Sequence, residues 1–438
     1  MALQQSPWTE QLPQTRTTQL TKNVSADVVI VGSGIAGVMT AYYLLKDTNK
    51  SVILLEANKV GRGASGHNAG QMASYFEQPF SEIVKRFGLK KASQAQLNVL
   101  SAWDLLDRLF HRTSLKHKPV SFAGYAGLST IKQLKRHLSD CYLQHKANIQ
   151  SEFLYILNDK NILEKIPKKY AHLYTPVNRE RLTRILETDN QEFIAAVTGR
   201  KGVLNSALFC HELLLWLKKK YKKRIALYEK TPATEIKILQ TKTTITTPKA
   251  RVTAKEIILC TNGYKQPTIT YNKEEAKMKI TTTVGLMLAG EQHKKFKHAA
   301  VSYFPKTATN TYFYCTRRDQ GHKELVCAGG PDINIEEEYD PKKNYVLQEQ
   351  EIQDFIKTTK FTTKPNYRWE GPMGYTKTNL RCIGRHPKIS RLWYNLGCNG
   401  VGILPSVYGA KRISLLMQGV QLQKSLFDPS YCLTQAQE

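Results

Sequence analysis

The sequence lacks the long apolar runs and the cysteine patterns that mark several large classes of protein. It contains no run of 18 or more apolar residues, so we expect no transmembrane helix. Residues 1–20 contain no apolar stretch of the kind found in a secretory signal peptide. The eight cysteines form neither a CxxC pair nor a zinc-ligand spacing. These absences favour a cytoplasmic protein with reduced thiols and no bound metal.

Acidic residues are scarce compared with basic ones. There are 36 Asp and Glu against 64 Lys and Arg, which gives a formal net charge of +28. Such a charge would suit an anionic partner, such as nucleic acid or a membrane surface. The one dense basic run, at residues 218–224, follows an apolar segment and is interpreted as the end of a helix, where cations are favourable. The other lysines are dispersed, so we favour solvated faces over a nucleic-acid site, which the charge leaves open.

A short apolar strand, a glycine-rich turn and a helix are predicted at residues 27–37. Residues 28–31 are uninterrupted and β-branched or aliphatic, as in a strand buried on both faces of a parallel sheet. Gly32, Gly34 and Gly37 have the GxGxxG spacing of a dinucleotide-binding turn. Gly32 permits the tight turn, Gly34 leaves room for a pyrophosphate, and Gly37 allows close packing of the helix on the strand.

The residues that follow supply the context that this motif requires. An apolar helix is predicted over 35–46, and a second buried strand over 51–56 ends at Glu56. A carboxylate at this place accepts hydrogen bonds from an adenosine ribose and repels a 2′-phosphate, so FAD or NAD is favoured over NADP. The predicted cofactor contacts here are Gly32, Ser33, Gly34, Ile35, Ala36, Gly37, Glu56 and Ala57.

Three further glycine-containing segments are predicted to lie at the same cofactor. The loop at 61–71 has small residues that suit close packing against a planar ring. A turn at 261–263 follows another core strand, and a loop at 397–402 leads into a helix over 403–418, whose first turn would stabilise negative charge. The residues concerned are Arg62, Gly63, Ala64, Ser65, His67, Asn68, Ala69, Gly70, Gln71, Thr261, Asn262, Gly263, Asn399, Gly400, Val401 and Gly402.

The rest of the chain alternates between helical and strand-like patterns. Residues 1–26 are expected to form an extended arm. Helical periodicity covers 81–112 and 131–147, and a further helix is expected from about Val346. Short strands are predicted at 225–228, 233–239, 243–247 and 256–260, and a second, larger sheet at 281–290, 299–304, 311–316 and 323–329.

Taken together, these stretches resemble the FAD-dependent amine and amino-acid oxidoreductases related to D-amino-acid oxidase, glycine oxidase and sarcosine oxidase. Within that superfamily the chain is most similar to the γ-glutamylputrescine oxidase group. The resemblance is carried by residues 6–8, 32–37 with Glu56, 61–71, 369–371 with Thr376 and 383–384, and 399–402.

The resemblance implies an α/β fold in two domains. A Rossmann-like FAD-binding domain would be discontinuous, formed by residues 27–115, 198–265 and 368–438 after an arm at 1–26. An α+β substrate domain with a mixed, mainly antiparallel sheet would comprise residues 116–197 and 266–367. Residues 63–71 would lie against the isoalloxazine, Ala233 would make a backbone contact to adenine, and residues 400–402 would lie near the flavin pyrimidine carbonyl.

The activity implied is oxidation of an amine by hydride transfer to FAD, followed by hydrolysis of the imine. The small-molecule substrate would be a γ-glutamylated polyamine, or a secondary amine or amino acid. Oxygen or an electron carrier would reoxidise the flavin. Two alternatives remain at this point: an FAD-dependent oxidoreductase that modifies the wobble uridine of tRNA, and a catalytically silent FAD-binding subunit.

The chain departs from the pattern of its relatives at several positions. Thr378 replaces an acid and Arg381 replaces a proline. His67 stands where many relatives have arginine and some dehydrogenases have a histidine joined covalently to FAD. Two interpretations of His67 are open: a covalent bond to FAD, or an unbonded imidazole beside the flavin ring. The unbonded imidazole is favoured.

Candidate substrate-site residues lie on the predicted second sheet. Tyr314 would form a wall of the amine site, Arg317 would pair with a substrate carboxylate, and Trp369 would line the cavity. Tyr312 and Tyr314 share one strand face, and a strand of core aromatics ending in a basic turn explains them equally well. Lys277 or Lys279 is a candidate for assisting oxygen, although a solvated lysine is the simpler interpretation.

Overall fold

The structure is a computed structural model that describes residues 5–434 apart from 151, 277–278, 307–311, 336–338 and 341–342. Its helices are α1 Pro7–Glu10, α2 Ile35–Asp47, α3 Phe80–Phe87, α4 Leu89–Arg112, α5 Ile131–Lys146, α6 Lys160–Leu163, α7 Arg179–Leu186, α8 Ser206–Lys220, α9 Val346–Ile356, α10 Ile403–Met417 and α11 Pro429–Thr434, with a 3₁₀ helix at Lys168–Leu173.

The strands form two sheets. They are β1 Val24–Val31, β2 Val52–Leu55, β3 Gln71–Ala73, β4 Val120–Leu128, β5 Phe153–Leu157, β6 Tyr174–Val177, β7 Ala195–Val203, β8 Ile225–Tyr228, β9 Glu235–Ile238, β10 Thr243–Thr246, β11 Arg251–Leu259, β12 Thr268–Tyr271, β13 Glu274–Glu275, β14 Thr281–His293, β15 Ala300–Phe304, β16 Phe313–Gln320, β17 Lys323–Gly329, β18 Ile333–Asn334, β19 Tyr367–Tyr375, β20 Cys382–Arg385 and β21 Leu392–Leu396.

The first sheet is parallel at its centre. β1 lies between β2 and β11, β2 continues to β8, and β11 also pairs with β21, all in parallel. Alternate residues of β1 enter two different cores: Val28 and Ile30 pack beneath α2, α8 and α10, whereas Val29 and Val31 pack on the opposite side of the sheet. This two-sided burial explains why the strand is uninterrupted and apolar. The predicted α/β arrangement is confirmed.

The second sheet is mixed and mainly antiparallel, as predicted. Its path runs β18-β14-β17-β16-β15-β4-β7-β5-β6, with β19 added beside β14 and β3 beside β7. Only the β15–β4 and β5–β6 pairs of this described sheet are parallel. β14 is its longest strand and pairs with both β17 and β19 over most of its length.

Three details refine the predicted elements. The helical stretch 81–112 is two helices, α3 and α4, separated at Gly88, whose φ of +81° interrupts the helix. The arm contains α1, and its end joins β1. Strands β7 and β19 cross the expected domain boundaries at 198 and 368, and β12 and β13 join the first sheet. The division into two domains remains a prediction.

The compositional expectations have direct structural counterparts. Residues 218–220 form the last turn of α8, as predicted for a basic run that closes a helix. Each of the eight cysteines carries a free thiol. Within the described ranges, no helix combines the length and the apolarity needed to cross a bilayer. Lys277 and residue 311 lie outside the described residues, and Lys279 is exposed.

Candidate cofactor and substrate site

The turn between β1 and α2 has the geometry of a phosphate cradle. Gly32 has a φ of +101°. A Cβ atom on Gly37 would lie 1.9 Å from the Gly32 carbonyl oxygen, so only glycine fits there. The first hydrogen bond of the helix runs from the Val38 N–H to the Gly34 carbonyl, at 3.0 Å. The N–H groups of Ala36 and Gly37 therefore have no partner within the helix, as an anion at a helix N-terminus requires.

Glu56 holds this turn in place from the end of β2. Its Oε2 accepts hydrogen bonds from the Ser33 N–H at 2.9 Å and from the Ser33 hydroxyl at 2.7 Å, and its Oε1 accepts one from the Asn58 N–H at 2.9 Å. A carboxylate offers about four lone-pair positions, so acceptor capacity remains for a ribose. The Glu56 carbonyl accepts from the Thr231 N–H at 2.8 Å, and half-buried Ala233 follows two residues later. Ala57 is exposed.

These features of the first sheet are the ones that bind the phosphates and the ribose of a dinucleotide. The Ile35 N–H donates to the Ser65 hydroxyl at 3.0 Å, which ties the first turn of α2 to the loop at 61–71. The glycine turn, the acid beside it and the second loop are therefore one connected unit. The residues present fit FAD at this place: the turn would hold the pyrophosphate and Glu56 the ribose.

The loop at 61–71 is fixed by α1 and α8. The Trp8 indole N–H donates to the Asn68 carbonyl at 2.6 Å, and the Ser6 hydroxyl donates to the Gly66 carbonyl. The Asn68 amide donates to the Ser206 hydroxyl at 2.8 Å, while its Oδ1 accepts from the Gly70 N–H at 2.7 Å. The loop is thus held by hydrogen bonds from the arm and from α8 and by a hydrogen bond of its own, which favours close packing over free motion.

His67 lies where this loop meets β19 of the second sheet. Its carbonyl oxygen would be 2.1 Å from a Cβ atom on Gly371, so the glycine admits the loop to the sheet. The His67 Nδ1 lies 3.0 Å from the Gly63 carbonyl. Burial lowers the pKa of His67 below its usual range, so the imidazole is neutral at pH 7 and donates from Nδ1.

We expect the flavin to be released when the purified protein is precipitated with acid. The Nδ1 atom of His67 is already engaged by the Gly63 carbonyl, and the ring is held in place by that bond. Absorbance and fluorescence of the supernatant would report the released flavin. Yellow colour retained in a washed pellet would contradict this expectation and would indicate a covalent link, and the His67→Ala variant would then identify its site.

The loop at 397–402 is fixed by the 261–263 turn and by β19. The Asn262 Oδ1 accepts a hydrogen bond from the Cys398 N–H at 3.0 Å. Asn399, with a φ of +46°, donates its N–H to the Gly374 carbonyl at 3.0 Å, and its Oδ1 accepts from the Thr376 N–H at 2.8 Å. The loop then leads into α10 at Ile403. The predicted segments 261–263 and 399–402 therefore lie together.

Thr378 and Arg381, the two residues that differ from the pattern of the relatives, lie next to the residues that hold this loop. Arg381 is buried and donates hydrogen bonds to the Asn395 side-chain oxygen at 2.7 Å, the Asn395 carbonyl at 2.8 Å and the Gly397 carbonyl at 3.4 Å. Burial lowers the pKa of Arg381 to about 10. Thr378 is also fully buried. Arg381 therefore lies beneath the start of the loop, and the Thr378 hydroxyl lies 3.3 Å from that of Thr376, the residue that bonds to Asn399.

Tyr314 and Trp369 lie on the face of the second sheet that meets the loop at 61–71. Tyr314, Gly329, Met287 and Trp369 form one row across β16, β17, β14 and β19. Because Gly329 has no side chain, the Tyr314 hydroxyl reaches the Met287 sulfur at 3.0 Å. Trp369 is buried in an apolar cluster that also includes Ala69 of the loop. The structure therefore brings these two predicted residues to the candidate site.

Arg317 is not brought to this face, which corrects the expectation that it meets a substrate. Strand alternation turns its side chain away from Tyr314. Its Nε lies 3.8 Å from the Glu324 carboxylate, and its Nη2 donates to the Lys297 carbonyl at 3.3 Å. Arg318 has the register of Tyr314, but its guanidinium lies 5.1 Å from the centre of the Trp8 ring. Arg317 is thus held by Glu324 and Lys297, whereas Arg318 lies against the arm.

A group of ionisable residues that the sequence analysis did not identify lies between the second sheet and the 397–402 loop. A Cβ atom on Gly400 would be 2.8 Å from Glu77 Oε2. The pKa of Glu77 is raised to about 7, chiefly by burial and then by Asp332. Asp332 is exposed, and its carboxylate accepts a hydrogen bond from the Tyr375 hydroxyl at 2.7 Å. Burial lowers the pKa of the nearby Lys201 to about 8.

Tyrosines complete this region. Tyr75, Tyr312, Tyr314 and Tyr375 each keep part of their surface accessible, yet the surrounding protein raises the pKa of every one of these hydroxyls through desolvation. These side chains are grouped around Glu77, and the ring centres of Tyr312 and Tyr314 are 5.7 Å apart. We name this region the tyrosine cleft, defined by these four tyrosines with Glu77 and Asp332.

The chain was compared with known proteins. Residues 27–416 match the family model described as FAD dependent oxidoreductase. A stretch of 97 residues is 35% identical to the Haemophilus influenzae protein OrdL and covers 22% of each chain. A stretch of 73 residues is 34% identical to the γ-glutamylputrescine oxidoreductase of Escherichia coli and covers 17% of each. The matches thus span about a fifth of the length of these relatives.

The crystal structure of glycine oxidase from Geobacillus kaustophilus has the same fold, with a TM-score of 0.66 and 15% identity over 92% of this chain and 98% of that one.

Proposed function

This chain belongs to the FAD-dependent oxidoreductase family, and from that premise we propose that it oxidises the C–N bond of a γ-glutamylated polyamine or of a secondary amine or amino acid. FAD is the cofactor of the family, and C–N donors are the substrates of its amine- and amino-acid-oxidising members. The short likeness to a γ-glutamylputrescine oxidoreductase supports the choice of substrate class.

One observation carries the proposal: the loop at 61–71 lies between the nucleotide-type turn of the first sheet and the aromatic face of the second. Ser65 binds the first turn of α2 on one side, and His67 packs on Gly371 of β19 on the other. A flavin ring against this loop would therefore have its nucleotide part at the first sheet and its free face toward Tyr314 and the tyrosine cleft. Such a site would combine the aromatic walls of the second sheet with the polar groups of the tyrosine cleft, as small-molecule sites combine apolar walls with polar groups that orient the ligand.

The protein's contribution to the reaction would be position and electrostatics. FAD, when bound, supplies the acceptor for the hydride that leaves the carbon beside the substrate nitrogen. The first turn of α10, which follows Gly402, would offer N–H groups and the positive end of the helix dipole to developing negative charge. Trp369 and Tyr314 would wall the cavity and exclude water from the reacting carbon.

The visible spectrum of the purified, anaerobic protein tests this proposal. We expect γ-glutamylputrescine to bleach the flavin absorbance near 450 nm in a single turnover, on the order of seconds for an enzyme of ordinary turnover. Readmitting oxygen would then show whether oxygen restores the colour or a carrier is required. A panel should follow with small N-methyl amino acids. If no member of the panel bleaches the flavin, the proposed amine oxidation is wrong.

A further inference from the structure

The carboxylate of Glu77 is the most unusual polar group of the tyrosine cleft. Its Oε2 atom is buried, and none of the residues that the structure describes donates a hydrogen bond to it. The same atom lies against Gly400, in the loop that precedes α10. A buried carboxylate oxygen without a donor is costly, because desolvation of the group is not compensated. The Tyr312 hydroxyl hydrogen-bonds to the carboxylate, so the further donor that Oε2 lacks is expected to come from a ligand.

The charges around Glu77 favour a cation as that ligand. Asp332 adds a second carboxylate, whereas Lys201 is the cation that acts on Glu77, with its Nζ 3.2 Å from the Ser302 hydroxyl. With these three groups ionised the local charge is negative, and an added ammonium ion would reduce it. The ionisable groups that interact electrostatically with Glu77 from the elements packed around it are Asp332, Lys201, Tyr75, Tyr312, Tyr314 and Tyr375.

The aromatic walls of the cleft favour the same ligand. The ring centres of Tyr312 and Tyr314 are 5.7 Å apart, and Tyr75 lies beside both Glu77 and Lys201. Tyrosine faces attract ammonium groups, and cages of this composition bind alkylated amines. Arg317 faces the other side of the sheet and is paired with Glu324, and Arg318 lies against the Trp8 ring of the arm.

We propose that Glu77 binds the substrate amine as its ammonium ion within the tyrosine cleft and takes a proton from it. This proposal rests on the proposed function and names the group that prepares the substrate. The step is balanced: the N–H bond of R₂NH₂⁺ breaks, an O–H bond forms on Glu77 Oε2, and the electron pair stays on nitrogen. The neutral amine then has the lone pair needed to assist the loss of hydride from the neighbouring carbon.

Binding of a cation that cannot react separates this site from turnover. Tetramethylammonium has no N–H bond and no free lone pair, so the flavoprotein would bind it without oxidising it. We expect calorimetry to show that the wild-type flavoprotein binds tetramethylammonium in preference to acetate. The Glu77→Gln variant should bind it roughly 10- to 100-fold more weakly, the range for loss of a buried charged partner. Equal affinity in the two proteins, or no binding by the wild type, would overturn the proposal.

Glu152→Gln is the matched control. Glu152 is also a carboxylate next to Lys201, and burial raises its pKa to about 7, but it packs against Gly199 of β7 instead of Gly400. We expect its affinity for tetramethylammonium to stay within about threefold of the wild type, because Glu152 acts on Lys201 and not on Glu77. A loss equal to that of Glu77→Gln would show that overall charge, rather than Glu77, governs binding.

The pH dependence of anaerobic flavin reduction tests the proton step. The base form of Glu77 is present above its pKa of about 7, so the wild-type rate should rise with pH through that value. In Glu77→Gln the rise should shift toward the pKa of the free amine, at about 10. An unchanged midpoint would overturn the assignment of the proton to Glu77. If the flavoprotein binds tetramethylammonium but no amine bleaches it, the proposed oxidation fails while the ammonium site stands.

Discussion

The Gly371→Ala variant is expected to be purified with little or no flavin, whereas Gly285→Ala is expected to retain it. A methyl group at 371 would lie 2.1 Å from the His67 carbonyl oxygen. Neither β19 nor the loop at 61–71 can yield easily, because the strand is fixed by its pairing with β14 and the loop by Trp8 and Ser206. The clash must therefore displace the loop from the site.

Gly285 is a close control because it is the residue paired with Gly371 across β14 and β19. A methyl group at 285 would meet only the end of the Met373 side chain, its Cε at 3.2 Å and its Sδ at 3.9 Å, and that flexible side chain can move. We expect Gly371→Ala to lose about 1–3 kcal/mol of unfolding free energy through overpacking and Gly285→Ala less than about 1 kcal/mol. The ratio of flavin to protein absorbance and thermal unfolding measure the two effects. A Gly371→Ala protein with a full complement of flavin would contradict the placement of the loop.

The sequence predicts well what short segments determine by themselves. The strand at 28–31, the helix from Ile35 and the helix from Ile403 follow from apolar spacing and glycine positions, and each lies where expected within a few residues. The contacts of Gly37 also follow, because close packing of a helix on its own preceding strand is a local requirement.

What sequence reasoning missed depends on pairing between distant strands. Arg317 and Tyr314 are three residues apart, and they face opposite sides of the sheet because pairing with β17 continues β16 past the predicted end at residue 316 to Gln320. Glu77 joins the site because β3 leads from the loop at 61–71 into the second sheet, and Asp332 because β17 ends beside β14. The one local signal for Glu77 was an acid two residues after Tyr75, in an aromatic stretch directly beyond the glycine loop. No known motif has this spacing of tyrosine and acid, so the sequence did not indicate a site there.

The Trp8→Ala variant is expected to lose both stability and flavin, although Trp8 is far in sequence from every glycine motif. Trp8 is only 1% exposed, and its ring contacts the apolar cluster that contains Met287 and Trp369. It also donates to the Asn68 carbonyl at 2.6 Å and lies beneath Gly70. Removal of a buried tryptophan costs about 3–5 kcal/mol of unfolding free energy. The loop at 61–71 would also lose the support of α1.

Trp8→Phe separates packing from hydrogen bonding. Phenylalanine keeps an aromatic ring against Met287 and Arg318 but cannot donate to the Asn68 carbonyl, so we expect a loss of about 1–2 kcal/mol. Equilibrium unfolding in urea measures the free energies, and the rise in flavin fluorescence on release measures cofactor affinity. If Trp8→Phe retains flavin like the wild type while Trp8→Ala loses it, the packing of the arm holds the loop. If both variants retain flavin and stability, the arm is not part of the cofactor site. The loop would then depend on its contacts with α2, α8 and β19, through Ser65, Asn68 and His67.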